Sequence, residues 1–234
     1  LEYWNLVFME FDQNPQGVLT PLPAKNIDTG AGLNRLALIE QEAESVFETD
    51  QFAGLMALGR ELGSADADVR ALRILADHSR AMTFLIADGI VPSNEDRGYI
   101  LRRVMRRAVL QGQRIGIEGQ FLPVFAEQVI DVMGAAYPEL VERRKTILEW
   151  VRGEEESFGR TLIQGSGLLE ELLDAGTLSG ADAFRLHDTF GFPIELTREL
   201  ADERGVPFAE QAEFDRLMGA QRTRSAAGAG EAAR

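Results

Sequence analysis

At about residue 48 the hydrophobic period of this chain changes, and that change constrains the fold more than any other feature. Before it, Leu1-Glu2-Tyr3-Trp4-Asn5-Leu6-Val7-Phe8-Met9-Glu10-Phe11 is rich in aromatic and β-branched residues and reads as a strand already under way at the first residue. After it, strand signals vanish. Apolar residues recur at helical spacing in Phe52-Leu55-Met56-Leu58-Leu62 and again in Leu72-Leu75-Ala76-Ser79-Met82-Thr83-Leu85-Ile86. The expected fold class is therefore mostly α, with a small α/β edge in front.

Gly and Pro punctuate the pattern. A Pro/Gly loop is expected at Asn14-Pro15-Gln16-Gly17 and on through Pro21 and Pro23, followed by a glycine turn and a helix from about 33 to 45. Further helices are expected at about 67–87, 97–111, 120–134, 138–173, 181–187, 193–204 and 209–223. Gly153, Gly159, Gly165 and Gly167 lie inside the 138–173 segment and predict a bend or split there. Ser225 to Arg234 is a run of small residues that reads as a tail or linker. Three parts follow: 1–47, 48–224 and 225–234. A strand that starts without an initiator Met and a linker-like end mark the chain as an internal piece of a larger protein.

Composition removes several function classes. There is no cysteine, so disulfides and thiolate metal sites are absent, and two histidines (His78 and His187) are too few for a histidine-rich centre. No metal ligands are expected. No apolar run approaches the roughly 20 residues of a membrane span, so no membrane partner is expected and a cytoplasmic location is the default. The formal charge of -14 argues against a generic nucleic-acid coat, although net charge averages over local patches.

Two segments carry chemistry. Asp28-Thr29-Gly30-Ala31-Gly32-Leu33-Asn34-Arg35 reads as a glycine-rich turn opening a helix. Glycines admit backbone close to a ligand, a helix N-terminus offers N–H groups to phosphate, and a guanidinium one turn in adds a fork. Asp28 can pair with an ammonium. The same residues also suit an ordinary capped turn. Between Arg97 and Ile117 there are six arginines (97, 102, 103, 106, 107 and 114) and no Asp or Glu. Arg102 with Arg106, and Arg103 with Arg107, stack on a helix face at a spacing where like charges repel. Either a polyanion or acidic residues elsewhere, such as Glu154-Glu155-Glu156, relieve that repulsion. The loop Asp88 to Tyr99 places Ser93 and Asn94 at the mouth of this helix, where positioning and specifying contacts to a nucleic acid would meet. Leu186-His187-Asp188-Thr189-Phe190-Gly191-Phe192-Pro193 is a second tight turn, with Pro193 suited to the start of a helix.

Taken together, these segments resemble the alanyl-tRNA synthetases, a family of class II aminoacyl-tRNA synthetases. Glu2 to Phe11 is similar to the family's active-site strand, and Pro21-Leu22-Pro23 with Asp28 to Arg35 is similar to its motif 3. Ala76-Asp77-His78-Ser79-Arg80, Ala87 to Asn94, Arg97 to Arg103 and Asp188 to Pro193 follow in the family's order. The resemblance implies that 1–47 is the C-terminal edge of the class II catalytic domain, with antiparallel strands and the motif 3 helix, and that 48–224 is a helical domain recognising the tRNA acceptor stem.

The implied parent enzyme is an alanine–tRNA ligase that activates alanine with ATP to alanyl-adenylate and transfers alanine to tRNA(Ala). By the same resemblance Arg35 holds the ATP γ-phosphate as the catalytic arginine, with Gly32 and Glu2 as further ATP contacts. Asp28 binds the alanine ammonium, Gly30 leaves room for the small substrate, and Trp4, Asn5 and Val7 line the pocket. Asn94 and Asp188 match the pair that reads the acceptor-stem G·U wobble, with Arg102, Arg103, Arg106 and Arg107 as backbone contacts. Mg²⁺ would accompany ATP, and any zinc of the parent would lie outside this segment. Asn34 stands where the family's motif 3 usually has Glu. Motifs 1 and 2 would precede Leu1, so this piece alone is expected to be inactive and to need the rest of the parent chain. The alternative is a non-catalytic RNA-binding module built on the same helical domain.

Overall fold

The computed structural model describes residues 1–208 and 212–220. The expected tail 225–234 and the ends of the expected helix 209–223 lie outside the described residues. The chain forms two compact units that divide between Leu58 and Gly59.

In the first unit, β1 (Trp4–Gln13) and β2 (Leu19–Ala31) form a two-stranded antiparallel hairpin. Asn14 closes the turn: its Oδ1 accepts from the N–H groups of Gln16 at 3.0 Å and Val18 at 2.9 Å, and Gly17 takes φ 81°. The register is interrupted by an irregularity between Met9 and Phe11. Two expectations are corrected here. Pro21, Pro23 and the stretch Asp28–Ala31 are strand rather than loop and turn. Proline is tolerated because a two-stranded ribbon consists of edge strands only, where a missing N–H leaves no central ladder bond unmade. Helix α1 (Leu33–Glu40) then follows from Gly32 and stops five residues short of the expected 45, and just beyond it Glu42 turns left-handed at φ 50°. A short 3-10 turn at Val46–Glu48 is capped by the Ser45 hydroxyl. Helix α2 (Ala53–Leu62) crosses the boundary between the units.

The second unit is helical: α3 (Val69–Ala87), α4 (Asp96–Arg114), α5 (Leu122–Met133), α6 (Pro138–Glu142), α7 (Arg144–Asp174), α8 (Gly180–Phe190), α9 (Ile194–Glu203) and a further helix, α10, at 212–220. Helices α3, α4, α5 and α7 pack on one another around Leu72, Leu75, Met82, Leu101, Met105, Leu122, Phe125, Ile147, Val151 and Phe158, all fully buried. These residues recur every three or four positions, so each helix turns one apolar stripe inward. Asp68 caps α3 by accepting from Arg70 and Ala71, and Ser179 with Asp182 forms a capping box on α8.

The expected break inside 138–173 falls at Arg143, between α6 and α7, and not at the glycines. Gly153, Gly159 and Gly167 face open space, whereas a Cβ on Gly165 would meet the Phe192 ring at 2.5 Å. Gly165 is a dent that seats Phe192, which is fully buried and packs edge-on against Phe158. The phenylalanine anchors the turn between α8 and α9 onto α7.

Helix α5 is capped from a distance. Its N-cap residue Phe121 makes no side-chain cap, but buried Glu155 on α7 accepts from the backbone N–H of Phe121 at 3.0 Å and of Leu122 at 3.2 Å. Burial outweighs these two donors and raises the Glu155 carboxyl above its ordinary 4.5.

Candidate functional site

The hairpin distributes the residues of the first candidate site by parity. Direct cross-strand partners Asn5 with Gly30 and Val7 with Asp28 share one face, because side chains alternate along each strand. Trp4, Leu6 and Phe8 share the other face with Ala31, Thr29 and Ile27. Four of the five residues expected at an alanine pocket, Asn5, Val7, Asp28 and Gly30, are thus brought together, and Trp4 is turned away from them. Thr29 holds Trp4 there: the indole Nε1–H donates to Thr29 Oγ1, whose own hydroxyl donates to the Asn5 carbonyl at 3.0 Å. No sequence signal separated Thr29 from its neighbours. On the opposite face, Gly30 leaves a gap in which an added Cβ would sit 3.5 Å from Asn5 Oδ1.

Glu2 ties the hairpin to α1. Its carboxylate accepts from Asn5 Nδ2 at 3.1 Å, and its carbonyl accepts from Arg35 Nη1. Arg35 folds back over Gly32, whose absent side chain would meet Arg35 Cδ at 3.2 Å. Gly32 is the N-cap of α1 and offers no side-chain cap, and its carbonyl accepts from the N–H groups of Arg35 at 3.0 Å and Leu36 at 2.9 Å. The Asp28 carboxylate and the Arg35 guanidinium, groups of opposite charge, therefore occupy the two ends of one short segment.

The second candidate site is built on α4. Arg102 and Arg106 converge on Glu154 of α7: Arg102 Nε lies 3.3 Å from its carboxylate, and Arg106 Nε and Nη2 lie 2.8 and 2.7 Å from Oε1. Glu154 is 8% exposed, Arg106 14% and Arg102 22%. Each arginine has a second duty. Arg102 Nη1 donates to the side-chain oxygen of Asn94, and Arg106 Nη1 donates to the carbonyl of Gly191. Arg106 also lies over the Phe158 ring, 5.0 Å from its centroid, and its burial lowers its affinity for the proton.

The turn at 191 follows from local chemistry. Gly191 ends α8 at φ 66°, a left-handed cap that glycine adopts without steric cost. Asp188 lies within the last turn of α8, where a carboxylate opposes the helix dipole. Asn94 lies two residues ahead of α4, next to Ser93, whose hydroxyl bridges the Glu95 backbone. Gly98 admits this loop against α4, since a Cβ there would lie 2.1 Å from Ser93 Oγ.

Arg103, Arg107 and Arg114 pair with a row of carboxylates on α9. Arg103 meets Glu195 at 3.0 Å, Arg107 makes a two-pronged pair with Glu199 at 2.8 and 2.6 Å, and Arg114 meets Glu203. Tyr99 donates to Glu195 at 2.9 Å, and burial with this carboxylate raises its phenol to about 12. Arg107 Nη1 also approaches His78 Nε2 at 3.3 Å while His78 Nδ1 lies 3.2 Å from Asp77. A guanidinium has only donors, so Nε2 accepts and Nδ1 carries the proton. Glu195, Glu199 and Glu203 repeat every four residues, the spacing of Arg103 and Arg107, and that match was available in the sequence as the signal for this pairing. A cleft of about 590 Å³ over the ladder is lined by Arg70, Arg107, Glu195, Arg198, Glu199, Asp202 and Glu203. Every lining side chain is charged, which suits a polar surface contact and not an apolar ligand.

Among the described residues, no three His, Cys, Asp or Glu side chains gather as a metal site, and no helix is long and apolar enough to cross a membrane.

Comparison with known proteins adds a lineage to this geometry. The model of the family described as tRNA synthetases class II (A) matches residues 1–233. The alanine–tRNA ligase of Nitrosomonas europaea is 46% identical over 230 residues, which cover 97% of this chain and 26% of that protein. That of Anaeromyxobacter dehalogenans is 47% identical over 250 residues, 96% of this chain and 28% of its own length. That of Levilactobacillus brevis is 44% identical over 237 residues, again 96% of this chain and 27% of its own. The chain spans about a quarter of the length of these curated relatives.

Proposed function

From the premise that this chain belongs to the class II (A) family of tRNA synthetases, we propose that it forms part of an alanine–tRNA ligase. The hairpin unit contributes to activation of alanine, and the helical unit to recognition of the tRNA(Ala) acceptor stem.

In the first step the alanine carboxylate attacks the α-phosphate of ATP, forming alanyl-adenylate and releasing pyrophosphate. The alanyl group then passes to the terminal ribose of the tRNA, and AMP leaves. Asp28 pairs with the α-ammonium, while Asn5, Val7 and the gap at Gly30 fit a methyl side chain and crowd a larger one. Arg35 at the start of α1 neutralises phosphate, with Gly32 and Glu2 lying beside it. Such chemistry depends on positioning and charge compensation more than on a proton-transfer pair. Mg²⁺ would arrive on the ATP phosphates, which suits an ion that keeps few protein ligands. The neutral amide of Asn34 contributes no charge to this balance.

In the helical unit Asn94 and Asp188 read the G·U pair of the acceptor stem. Arg103 and Arg107, about a third exposed, retain surface for the RNA backbone. Arg102 and Arg106 are committed to Glu154 and to the two turns. The rest of the parent chain completes the ligase.

The observation that carries the alanine reading is the shared face of Asp28, Val7, Asn5 and Gly30. It is tested by alanine-dependent pyrophosphate exchange in the parent enzyme carrying Asp28→Ala. Loss of exchange with unchanged ATP binding supports the assignment, and normal adenylate formation overturns it.

A further inference from the structure

Asn94 and Asp188 lie on segments separated by most of the helical unit's sequence, yet a continuous set of hydrogen bonds connects the two turns that carry them. It runs from the Asn94 side-chain oxygen to Arg102, to the Glu154 carboxylate, to Arg106 and to the Gly191 carbonyl. Glu154 is the only acidic member of this path and is 8% exposed. Two guanidinia share its one carboxylate, so removing its charge leaves two cations side by side with no common counter-charge.

We infer that Glu154 is a positioning residue for base-pair readout, holding the Asn94 turn and the Gly191 turn at a fixed separation through Arg102 and Arg106. This rests on the proposed reading of the acceptor stem. Arg102 occupies the oxygen end of the Asn94 amide and leaves its NH₂ end to donate to a base edge. Arg106 fixes the carbonyl that ends α8, and with it the last turn that carries Asp188. Neither arginine needs to touch RNA for this, and Glu154 contributes no phosphate contact.

The test measures binding of the full chain to two acceptor-stem hairpins, one with G·U and one with G·C at the third pair, over a range of salt. The variants are Glu154→Gln, which keeps size and one acceptor, and Arg106→Lys, which keeps charge but loses the fork that spans Glu154 and Gly191. Wild type is expected to favour the G·U hairpin by about tenfold or more, the scale of one base-pair contact. Both variants should bring the ratio of dissociation constants toward one while the slope of log affinity against log salt stays unchanged. A merely structural loss would weaken both hairpins alike. No preference in wild type overturns the acceptor-stem reading itself. A wild-type preference that both variants keep overturns the role of Glu154. Where Glu154→Gln lowers the melting temperature too far for binding to be measured, Arg106→Lys decides between these results alone.

Discussion

A Cβ on Gly191 would lie 2.3 Å from Arg106 Nη1, so the left-handed end of α8 and the guanidinium on α4 can share this corner only because the side chain is absent. Gly191→Ala therefore meets two penalties at once. A left-handed alanine costs about 1–2 kcal/mol, and the arginine must withdraw from the carbonyl it holds. Urea unfolding should show a loss of about 2 kcal/mol or more. Gly153→Ala and Gly167→Ala, in α7 with open space around them, should each gain about 0.5–1 kcal/mol. Equal effects at 191 and 167 would contradict the packing described.

Glu155 supplies a pH signature. Its carboxyl is raised above the ordinary 4.5 by burial, so the fold binds the proton more tightly than the unfolded chain does. The associated stability is fully present below about 4.5 and is lost as pH rises through the folded value. Glu155→Gln keeps an acceptor for the Phe121 and Leu122 N–H groups and carries no buried charge. Its unfolding free energy should be flatter between pH 4.5 and 7.5 than that of the wild type, and no lower at pH 7.5. Glu155→Ala leaves two helix-start donors unpaired and should cost about 1–3 kcal/mol at either pH.

Trp4 and Asp28 lie on opposite faces of the hairpin, and their substitutions should separate. In the parent enzyme Asp28→Asn is expected to raise KM for alanine by about tenfold or more, whereas Trp4→Phe changes it by less than about twofold. Steady-state pyrophosphate exchange with varied alanine distinguishes them. A large rise in KM for Trp4→Phe would place the pocket on the other face.

For the α4 arginines the expectation divides by exposure. Arg103→Ala and Arg107→Ala should weaken binding to G·U and G·C hairpins alike and reduce the salt slope by about one each. A variant that altered the ratio between hairpins and left the slope intact would reassign that arginine to the positioning set.

Much of the helical unit was legible because its core is written in one period. Leu72, Leu75 and Met82 mark α3, and Leu101 and Met105 mark α4, at spacings no strand shares. The hairpin was half legible. Pro21, Pro23, Gly30 and Gly32 are turn-formers by local propensity, but cross-strand pairing with β1 keeps Pro21 to Ala31 extended. The glycines of α7 misled for a similar reason: a helical glycine costs about 1 kcal/mol, which burial of Ile147, Val151, Phe158 and Leu169 on the same helix outweighs. Parity across the hairpin was not legible, since it depends on register and hence on the irregularity near Met9. The arginine helix left two readings open, and local sequence has no means of saying that one carboxylate, Glu154, faces two of its cations.

That shared carboxylate also sets how this surface can change over generations. Positions 94, 102, 106, 154 and 191 are joined end to end, so an exchange at any one of them alters the worth of the residues at the others. A lineage that loses the acid at 154 inherits two cations without their shared counter-charge, and with them a looser hold on the carbonyl at 191. The five positions are thus expected to drift as a block, and a chimera that mixes two such blocks should read RNA less well than either parent.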